Sequence, residues 1–256
     1  MRAQVAPGSL GVLLSVYFYG RMANLVSKLT ARFAAKPQPS APATMQRLLA
    51  RTAELIGSQV ATVIDVGAST GSWSYECLQA LPHARYLLVE ANRTHEANLS
   101  RFAAYCSGIA EYVAASDQDG TLLFDDSDAY GGGIATAAAA RTVEVPCRKI
   151  DTLLQAHQLP GPYLLKLDTH GFEMPILAGA TECLAQAAGV IAEVYNHQIA
   201  PGSLLFFELC QAMAERGFRP AYLADVMERP ADGTFWQMDI LFLPMAHPMF
   251  ARQTFA

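Results

Sequence analysis

A glycine-rich turn that follows an acidic residue is the first feature of the sequence that could bind a ligand. In Asp65-Val-Gly67-Ala-Ser-Thr-Gly71, an apolar segment runs directly into a predicted helix start. Gly67 has no Cβ and would let a ligand approach the backbone, and Gly71 would present free amides at the start of the helix. The dinucleotide motif G-x-G-x-x-G would require glycine at Ser69 and Ser72, and a P-loop would require a lysine after Gly71. The turn therefore favours a ligand without phosphates.

A second carboxylate follows at a spacing that suits a ribose. Glu90 ends the next apolar segment, nineteen residues after Gly71. A carboxylate at this place can accept hydrogen bonds from both ribose hydroxyls. Asp65 would repel a pyrophosphate but could face the cationic α-amino group of an amino-acid-like cofactor. The two acids and the glycine turn favour S-adenosylmethionine over NAD or ATP, and the alternative is an ordinary strand-to-helix turn with a surface acid.

The third predicted strand ends in Ser116 and Asp117, where an adenine ring would lie along the same edge of the sheet. A carboxylate or backbone acceptor there could take the amino hydrogens of adenine, although Asp117-Gln-Asp-Gly is equally an ordinary turn. The candidate cofactor-binding residues are Asp65, Gly67, Ala68, Ser69, Gly71, Glu90, Ala91, Ser116, Asp117 and Asp168.

A lysine and an aspartate alternate on the fourth predicted strand. Lys166 and Asp168 share one face of a strand that should be buried on both faces, and a buried lysine is costly unless it is paired. We therefore expect Lys166 to meet a carboxylate among Asp168, Glu173 and Glu193. An internal ion pair is the alternative to a catalytic role for Lys166 and Asp168.

A parallel α/β sheet would bring these residues together, because the carboxyl ends of parallel strands form the ligand crevice of such folds. From Val60 onward, short apolar runs alternate with helical patterns. We predict a helix between Thr44 and Gly57 and a short hairpin that joins two final runs, so the sheet should end in an antiparallel pair. The predicted strands are 61–66, 85–90, 109–115, 163–168, 189–195, 218–224 and 236–243, and the other predicted helices are 72–81, 93–105, 149–157, 172–187 and 203–216.

The sequence resembles the FkbM family of S-adenosylmethionine-dependent methyltransferases over roughly residues 62–243. The resemblance rests above all on Leu165-Lys-Leu-Asp-Thr-His-Gly-Phe-Glu173, together with the glycine turn and Val89-Glu-Ala-Asn92. It implies a Rossmann-like class I methyltransferase fold, with a mostly parallel seven-stranded sheet and a C-terminal antiparallel hairpin. It also implies methyl transfer to hydroxyls, often of sugars, glycans or polyketide-like natural products. The sequence departs from the family at His170, where Glu or Gln is commoner, and at Ala68-Ser69, which replaces a commoner Ala-Asn.

Methyl transfer to an alcohol calls for a general base, because a protonated hydroxyl is a poor nucleophile. His170 is the first candidate, since an imidazole can titrate near neutrality, and a backbone hydrogen bond is its alternative role. Asp168 is the second candidate, as a base or as a group that orients the substrate, and His197 is the third. Together with Lys166, these are the candidate catalytic residues.

No metal site is predicted. Asp168, Glu193 and Asp239 could converge on a divalent ion, but no local spacing of ligands requires one. The cysteines are scattered without a C-x-x-C motif and give no support for a structural zinc site.

The charge of the chain divides unevenly between an N-terminal arm and the rest. Residues 1–60 hold seven Lys or Arg and one acidic residue, whereas residues 61–256 hold eleven Lys or Arg and twenty-two acidic residues. We expect residues 1–43 to form a helical arm and a Pro-rich linker, followed by a methyltransferase domain at 44–256. Within the arm, residues 8–36 could contact an anionic membrane, and the alternative is packing on the chain's own domain or on a partner subunit.

We therefore predict a cytoplasmic enzyme, at most peripheral at the inner membrane face, that methylates a hydroxyl of a small molecule or glycan. A non-catalytic scaffold of the same fold, which binds S-adenosylmethionine or associates with a membrane, is the alternative. N-methylation of nucleic acid or protein ranks last, because the sequence has no Asn-Pro-Pro-Tyr type motif and no basic groove. No nucleic-acid partner is expected at a net charge of −5, and a homo-oligomer stays open.

Overall fold

The computed structural model describes residues 43–125, 133–134, 142–252 and 254. In chain order its elements are α1 (Met45–Ile56), β1 (Thr62–Val66), α2 (Ser72–Ala80), β2 (Arg85–Val89), a 3-10 turn (Arg93–His95), α3 (Glu96–Cys106), β3 (Ile109–Glu111), β4 (Ala114–Ala115), β5 (Gly120–Asp125), β6 (Gly133–Ile134), β7 (Thr142–Arg148), α4 (Ile150–Ala156), β8 (Tyr163–Leu167), α5 (Glu173–Ala178), α6 (Thr181–Ala185), β9 (Ala187–Tyr195), α7 (Phe206–Glu215), β10 (Phe218–Glu228), β11 (Phe235–Pro244) and a second 3-10 turn (Pro248–Ala251).

Seven strands form the main sheet, in the spatial order β10-β11-β9-β8-β1-β2-β3. Strands β3, β2, β1, β8 and β9 pair in parallel, whereas β11 runs antiparallel to both β9 and β10. The predicted mostly parallel seven-stranded sheet with a C-terminal antiparallel pair is therefore confirmed. The central strands β1 and β8 are buried at every position, which explains their nearly continuous apolar sequences.

Each face of the main sheet is covered by helices, and successive residues of a strand point to opposite faces. On one face, Ile64 and Leu165 pack with side chains from α4, α5, α6 and α7. On the other face, Val63 and Leu164 pack with side chains from α1, α2 and α3. Two apolar layers thus hold the central strands rigidly, and the carboxyl ends of these strands are the part of the sheet where polar side chains gather.

Two predicted elements are each divided into two in the structure. The predicted strand 109–115 is divided, because only Ile109–Glu111 pairs with β2, while Ala114–Ala115 pairs with β7 in a second sheet of order β4-β7-β5-β6. The predicted helix 172–187 is two short helices, because the chain passes close to another segment between them. A Cβ on Gly179 would lie 1.9 Å from the carbonyl oxygen of Ser116, so the backbone turns at this contact.

The predicted arm of residues 1–43 lies outside the described residues, except for Ala43. Among the helices that the structure does describe, none is both long and apolar enough to cross a membrane.

Candidate active site

A cavity of about 260 Å³ lies at the carboxyl ends of the central strands. One side of it is polar and is lined by residues that follow β1, β2 and β8, together with Glu193 of β9. Its apolar lining includes Val113, Ala114, Ala115, Phe124 and Ile134. The cavity lies beside β1, whose two neighbours in the sheet are β2 and β8, and this is the place where open α/β sheets bind ligands.

The glycine turn after β1 brings two strand ends into contact. Gly67 has a φ of +75°, and a Cβ at this position would lie 1.9 Å from the carbonyl oxygen of Asp168. Only glycine fits here, because other residues avoid this backbone conformation and their Cβ would collide with the backbone of Asp168, just after β8. Gly71 also has a positive φ and begins α2, but neither Gly71 nor Ala68 lines the cavity.

Glu90 is held in a fixed orientation at the end of β2. The backbone N–H of Ser69 donates to Oε2, and the backbone N–H of Asn92 donates to Oε1, both at 2.7 Å. The carboxylate is 8% exposed, and burial raises the pKa of Glu90 in spite of these two hydrogen bonds. Each carboxylate oxygen keeps a further lone pair, so Glu90 can still accept hydrogen bonds from two neighbouring hydroxyls.

Asp65 does not reach the cavity, contrary to the predicted contact with a cofactor amino group. Its side chain is fully buried, Lys166 donates to Oδ1 at 3.1 Å, and the Ser74 hydroxyl donates to Oδ2 at 2.7 Å. The reason is the register of the sheet, because Asp65 of β1 lies directly beside Lys166 of β8. Side chains at paired positions point to the same face, so the carboxylate meets the lysine inside the fold.

Lys166 joins two carboxylates rather than one. Its Nζ also donates to Asp168 Oδ2 at 3.1 Å, so the predicted pairing holds for Asp168, while Asp65 was not among the expected partners. Glu173, another expected partner, instead accepts from the backbone N–H of Gly171 at 2.9 Å. Burial alone would lower the pKa of Lys166, but the charges of Asp65 and Asp168 outweigh burial and raise it.

Asp168, His170 and Glu193 meet at the polar side of the cavity. His170 Nε2 lies 3.9 Å from Asp168 Oδ1 and 3.9 Å from Glu193 Oε2. The backbone of His170 has a φ of +51°, which turns the chain sharply after β8 and keeps the imidazole at the cavity. The side-chain nitrogen or oxygen atoms with which these three residues could bind a metal ion lie within 4.8 Å of one another. Two of the three, Asp168 and Glu193, are among the residues considered for a metal in the sequence, and His170 takes the place of Asp239.

The two carboxylates of this cluster have opposite ionisation behaviour. Burial opposes the ionisation of Asp168, but the charge of Lys166 prevails and lowers the pKa of Asp168. Burial and the nearby charge of Asp168 raise the pKa of Glu193 to about 8. The hydroxyl of Tyr195 and the side-chain amide of Gln237 both donate to Glu193 and fix its position.

Three further candidates lie away from the cavity wall. Ser116 is buried and its hydroxyl donates to the carboxylate of the exposed Asp117 at 3.1 Å, whereas Ala114 and Ala115 form the wall instead. His197 stacks on Trp236 with ring centroids 4.9 Å apart and does not line the cavity. The third candidate base therefore does not share the cavity with Asp168 and His170.

Several residues of the cavity were absent from the predicted site, among them the polar residues Glu193 and Asn92. Glu193 is a charged residue in the otherwise apolar segment Ala187–Tyr195, which was a usable signal, but its meeting with His170 depends on the pairing of β8 and β9. Asn92 lies two residues after Glu90, on the same side of the cavity, and its sequence context is that of an ordinary turn.

Comparisons with known proteins identify relatives of this chain. Residues 65–220 match the family model described as the methyltransferase FkbM domain. A search among curated proteins found no match. A solved structure of methyltransferase FkbM from Methylobacillus flagellatus KT is 14% identical, with a TM-score of 0.46 over 71% of this chain and 43% of that chain. This chain therefore spans less than half of that protein.

A second similar structure is the 1,6-didemethyltoxoflavin-N1-methyltransferase of Burkholderia thailandensis, with bound 1,6-didemethyltoxoflavin and S-adenosylhomocysteine. It is 13% identical, with a TM-score of 0.42, and the match covers 95% of this chain and 93% of that chain.

Proposed function

The chain belongs to the FkbM methyltransferase family, and from this premise we propose that it is an S-adenosylmethionine-dependent O-methyltransferase. Its acceptor would be a hydroxyl of a sugar, a glycan or another natural product. The observation that carries the proposal is the position of His170, whose imidazole lies 3.9 Å from each of two carboxylates at the edge of a nucleoside-sized cavity. The carboxylate of Asp168 can balance the positive charge that His170 gains when it accepts a proton.

The chemistry of the cavity fits the nucleoside part of this cofactor. Glu90 offers two oriented oxygens to the vicinal hydroxyls of a ribose. Ala91, Val113 and Ala114 offer an apolar surface to a flat base. When bound, S-adenosylmethionine supplies an activated methyl group. The residues of the chain would bind the cofactor, orient the acceptor and remove the proton of its hydroxyl.

The protein's own contribution to the reaction is positioning and proton transfer. His170 would take the proton of the acceptor hydroxyl as its oxygen attacks the methyl group. Positioning of the acceptor and the cofactor would contribute the larger part of the rate enhancement. Asp168 stays ionised because Lys166 is bonded to it, and it faces the imidazole through its other oxygen. Tyr195 and Gln237 hold Glu193 near the same ring nitrogen, Nε2 of His170.

Cofactor binding is tested by calorimetry with S-adenosylhomocysteine. We expect Glu90→Ala to weaken binding at least about tenfold, because a charged hydrogen-bond partner of the ribose is lost. Glu96→Ala removes an exposed carboxylate of α3 and is the matched control, with wild-type affinity expected. If both variants bind S-adenosylhomocysteine with equal affinity, Glu90 does not bind the cofactor.

Catalysis is tested with a panel of hydroxyl acceptors, by measuring the S-adenosylhomocysteine that is formed. We expect His170→Ala to keep its cofactor affinity and to lose at least about a hundredfold in turnover, the usual effect of a missing general base. His83→Ala, in which a histidine that contacts the carbonyl of Gly57 is replaced, is the control. Full turnover of the His170 variant would exclude it as the base. Binding of the cofactor without methylation of any acceptor would instead favour the non-catalytic scaffold.

The charge of the chain supports a small-molecule or glycan acceptor rather than a nucleic acid. Residues 61–256 hold eleven basic and twenty-two acidic residues, a balance that opposes binding to a phosphate backbone. The excess of basic residues in residues 1–60 supports a peripheral contact with an anionic membrane. Co-sedimentation with anionic vesicles tests this contact: the full chain should pellet more than a chain that lacks residues 1–36, and equal pelleting would contradict it.

A further inference from the structure

The cavity contains several acidic side chains and no basic one. Among the described residues that line it, Glu90, Asp168 and Glu193 carry a carboxyl group, and none is a lysine or an arginine. Two of these acids, Asp168 and Glu193, lie at 3.9 Å from the same nitrogen, Nε2 of His170. A cleft lined by one sign of charge concentrates the electrostatic potential inside it, so this end of the cavity favours a positive group over a negative one.

Asp168 is the ionised carboxylate that faces the cavity. Its side chain is 34% exposed, whereas that of its cationic partner Lys166 is 4% exposed. Lys166 also donates to Asp65, so one positive charge is divided between two negative charges. The three side chains together carry one net negative charge, and Asp168 is the member of the group that lines the cavity.

The proposed reaction brings the sulfur of the cofactor close to this charge. The acceptor oxygen must lie within hydrogen-bond reach of His170, about 2.6–3.2 Å, and about 3–3.5 Å from the methyl carbon that it attacks. Two contacts of about 3 Å thus separate the imidazole from the methyl group, and the sulfur bonded to this methyl group is positively charged until the transfer. Unit charges at such separations in a partly buried site still interact by more than the thermal energy.

We propose that Asp168 makes the site select S-adenosylmethionine over S-adenosylhomocysteine by charge, and that it thereby favours release of the product after the transfer. This inference rests on the proposed function, because it assumes that the methyl group is transferred beside His170. The two compounds share the nucleoside and the amino-acid part, so their contacts with Glu90 and with the apolar lining cancel in a comparison. The methyl group and the positive charge on sulfur are the differences that remain.

Calorimetry at pH 7 with three ligands tests the selection. They are S-adenosylmethionine, S-adenosylhomocysteine and sinefungin, in which a protonated amine on carbon replaces the methylated sulfur. We expect the wild-type protein to bind the two positively charged ligands at least about fivefold more tightly than S-adenosylhomocysteine, the effect of one partly screened charge. Asp168→Asn keeps the shape of the side chain but removes its charge, so all three affinities should become similar, with that for S-adenosylhomocysteine little changed.

Two further variants are matched to Asp168→Asn. Asp168→Glu keeps the negative charge and should keep the preference for the charged ligands. Glu215→Gln removes an exposed carboxylate at the end of α7 and should keep the wild-type affinities. A variant that only disturbs the fold weakens all three ligands together, so the ratio of the affinities distinguishes the charge of Asp168 from a structural role. Asp168→Ser, which also lacks the charge, replaces Asp168→Asn if the latter does not fold.

Each outcome decides the question. Equal affinity of the wild-type protein for S-adenosylmethionine and S-adenosylhomocysteine would overturn the inference and leave the proposed function intact. Sinefungin that binds as weakly as S-adenosylhomocysteine would also overturn it, because the preference would then come from the methyl group. An unchanged ratio in Asp168→Asn would show that Asp168 is not the source of the selection. If the wild-type protein binds none of the three ligands, the proposed function fails together with the inference.

Discussion

Replacement of Lys166 by methionine should destabilise the protein strongly, because it would leave a carboxylate buried without a counter-charge. Methionine has a similar length and volume but cannot donate to Asp65 or Asp168. Asp65 is fully buried, and its remaining partner would be the uncharged hydroxyl of Ser74. The lysine is thus needed by the fold, whatever its effect on the reaction.

The burial of the pair determines the size of the effect. The side chains of Lys166 and Asp65 are 4% and 0% exposed, whereas that of Asp168 is 34% exposed. Removal of one partner of a buried pair costs about 3–5 kcal/mol, while exposed pairs contribute about 1 kcal/mol at most. The loss of the Asp65 contact therefore dominates. For a domain of this size, about 2–4 °C in melting temperature accompanies each kcal/mol, so we expect a decrease of about 6–20 °C.

Urea unfolding followed by circular dichroism measures this loss, with two comparisons. Asp65→Asn combined with Lys166→Met removes both charges and should recover most of the stability that Lys166→Met alone loses, because no unpaired charge stays buried. Lys149→Met changes an exposed lysine and should alter the free energy of unfolding by less than about 0.5 kcal/mol. If Lys166→Met is as stable as Lys149→Met, or if the double variant is no more stable than Lys166→Met, the ion pair does not act as described.

Two further predictions concern the same end of the sheet. Burial and Asp168 raise the pKa of Glu193 from 4.5 to about 8, so the folded protein keeps a proton that the unfolded chain loses, and the free energy of unfolding should decrease between about pH 4.5 and 8 by at most about 1.4 kcal/mol per pH unit. In urea titrations at several pH values, Glu193→Gln should flatten this decrease. An unchanged slope in the variant would contradict the raised pKa of Glu193. Gly67→Ala should lower the free energy of unfolding by more than about 2 kcal/mol and abolish cofactor binding, because the new Cβ would collide with Asp168. In the control Gly233→Ala, the residue has a φ of +70° but open space around it, so the free energy of unfolding should fall by only about 1–2 kcal/mol and the cofactor should bind normally. Similar losses of stability in both variants would show that the contact with Asp168 is unimportant.

The architecture of the main sheet could be predicted from the sequence because the patterns that indicate its strands and helices each lie within a short segment of the chain. The apolar runs of β1 and β8 and the helical patterns between strands are visible in windows of ten residues. The second sheet was missed because β4 pairs with β7, more than twenty-five residues away, and because both are short segments with mixed polarity. Pairings of this kind depend on the assembled fold and leave little trace in either segment.

The same distinction applies to the site. Glu90 and His170 were identified from their places at strand ends, and the structure brings both to the cavity. The burial of Asp65 could not be foreseen, because it follows from the register of β1 against β8, which no local pattern specifies. His197 was placed by its stacking contact with Trp236, which comes from β11, a distant part of the chain.

The ionisation of the cluster around His170 indicates how the core of the protein acts on the site. Lys166 is bonded to Asp65 inside the fold and to Asp168 at the cavity, and this keeps the pKa of Asp168 below its ordinary value. The charge of Asp168, together with burial, then keeps Glu193 protonated up to about pH 8. Near neutral pH the imidazole of His170 therefore faces one ionised and one neutral carboxyl group, an arrangement in which neighbouring acids take different roles. We therefore propose that Lys166 acts as a positioning residue, because it sets the charge beside His170, the proposed base, while its own ammonium group stays buried and does not line the cavity.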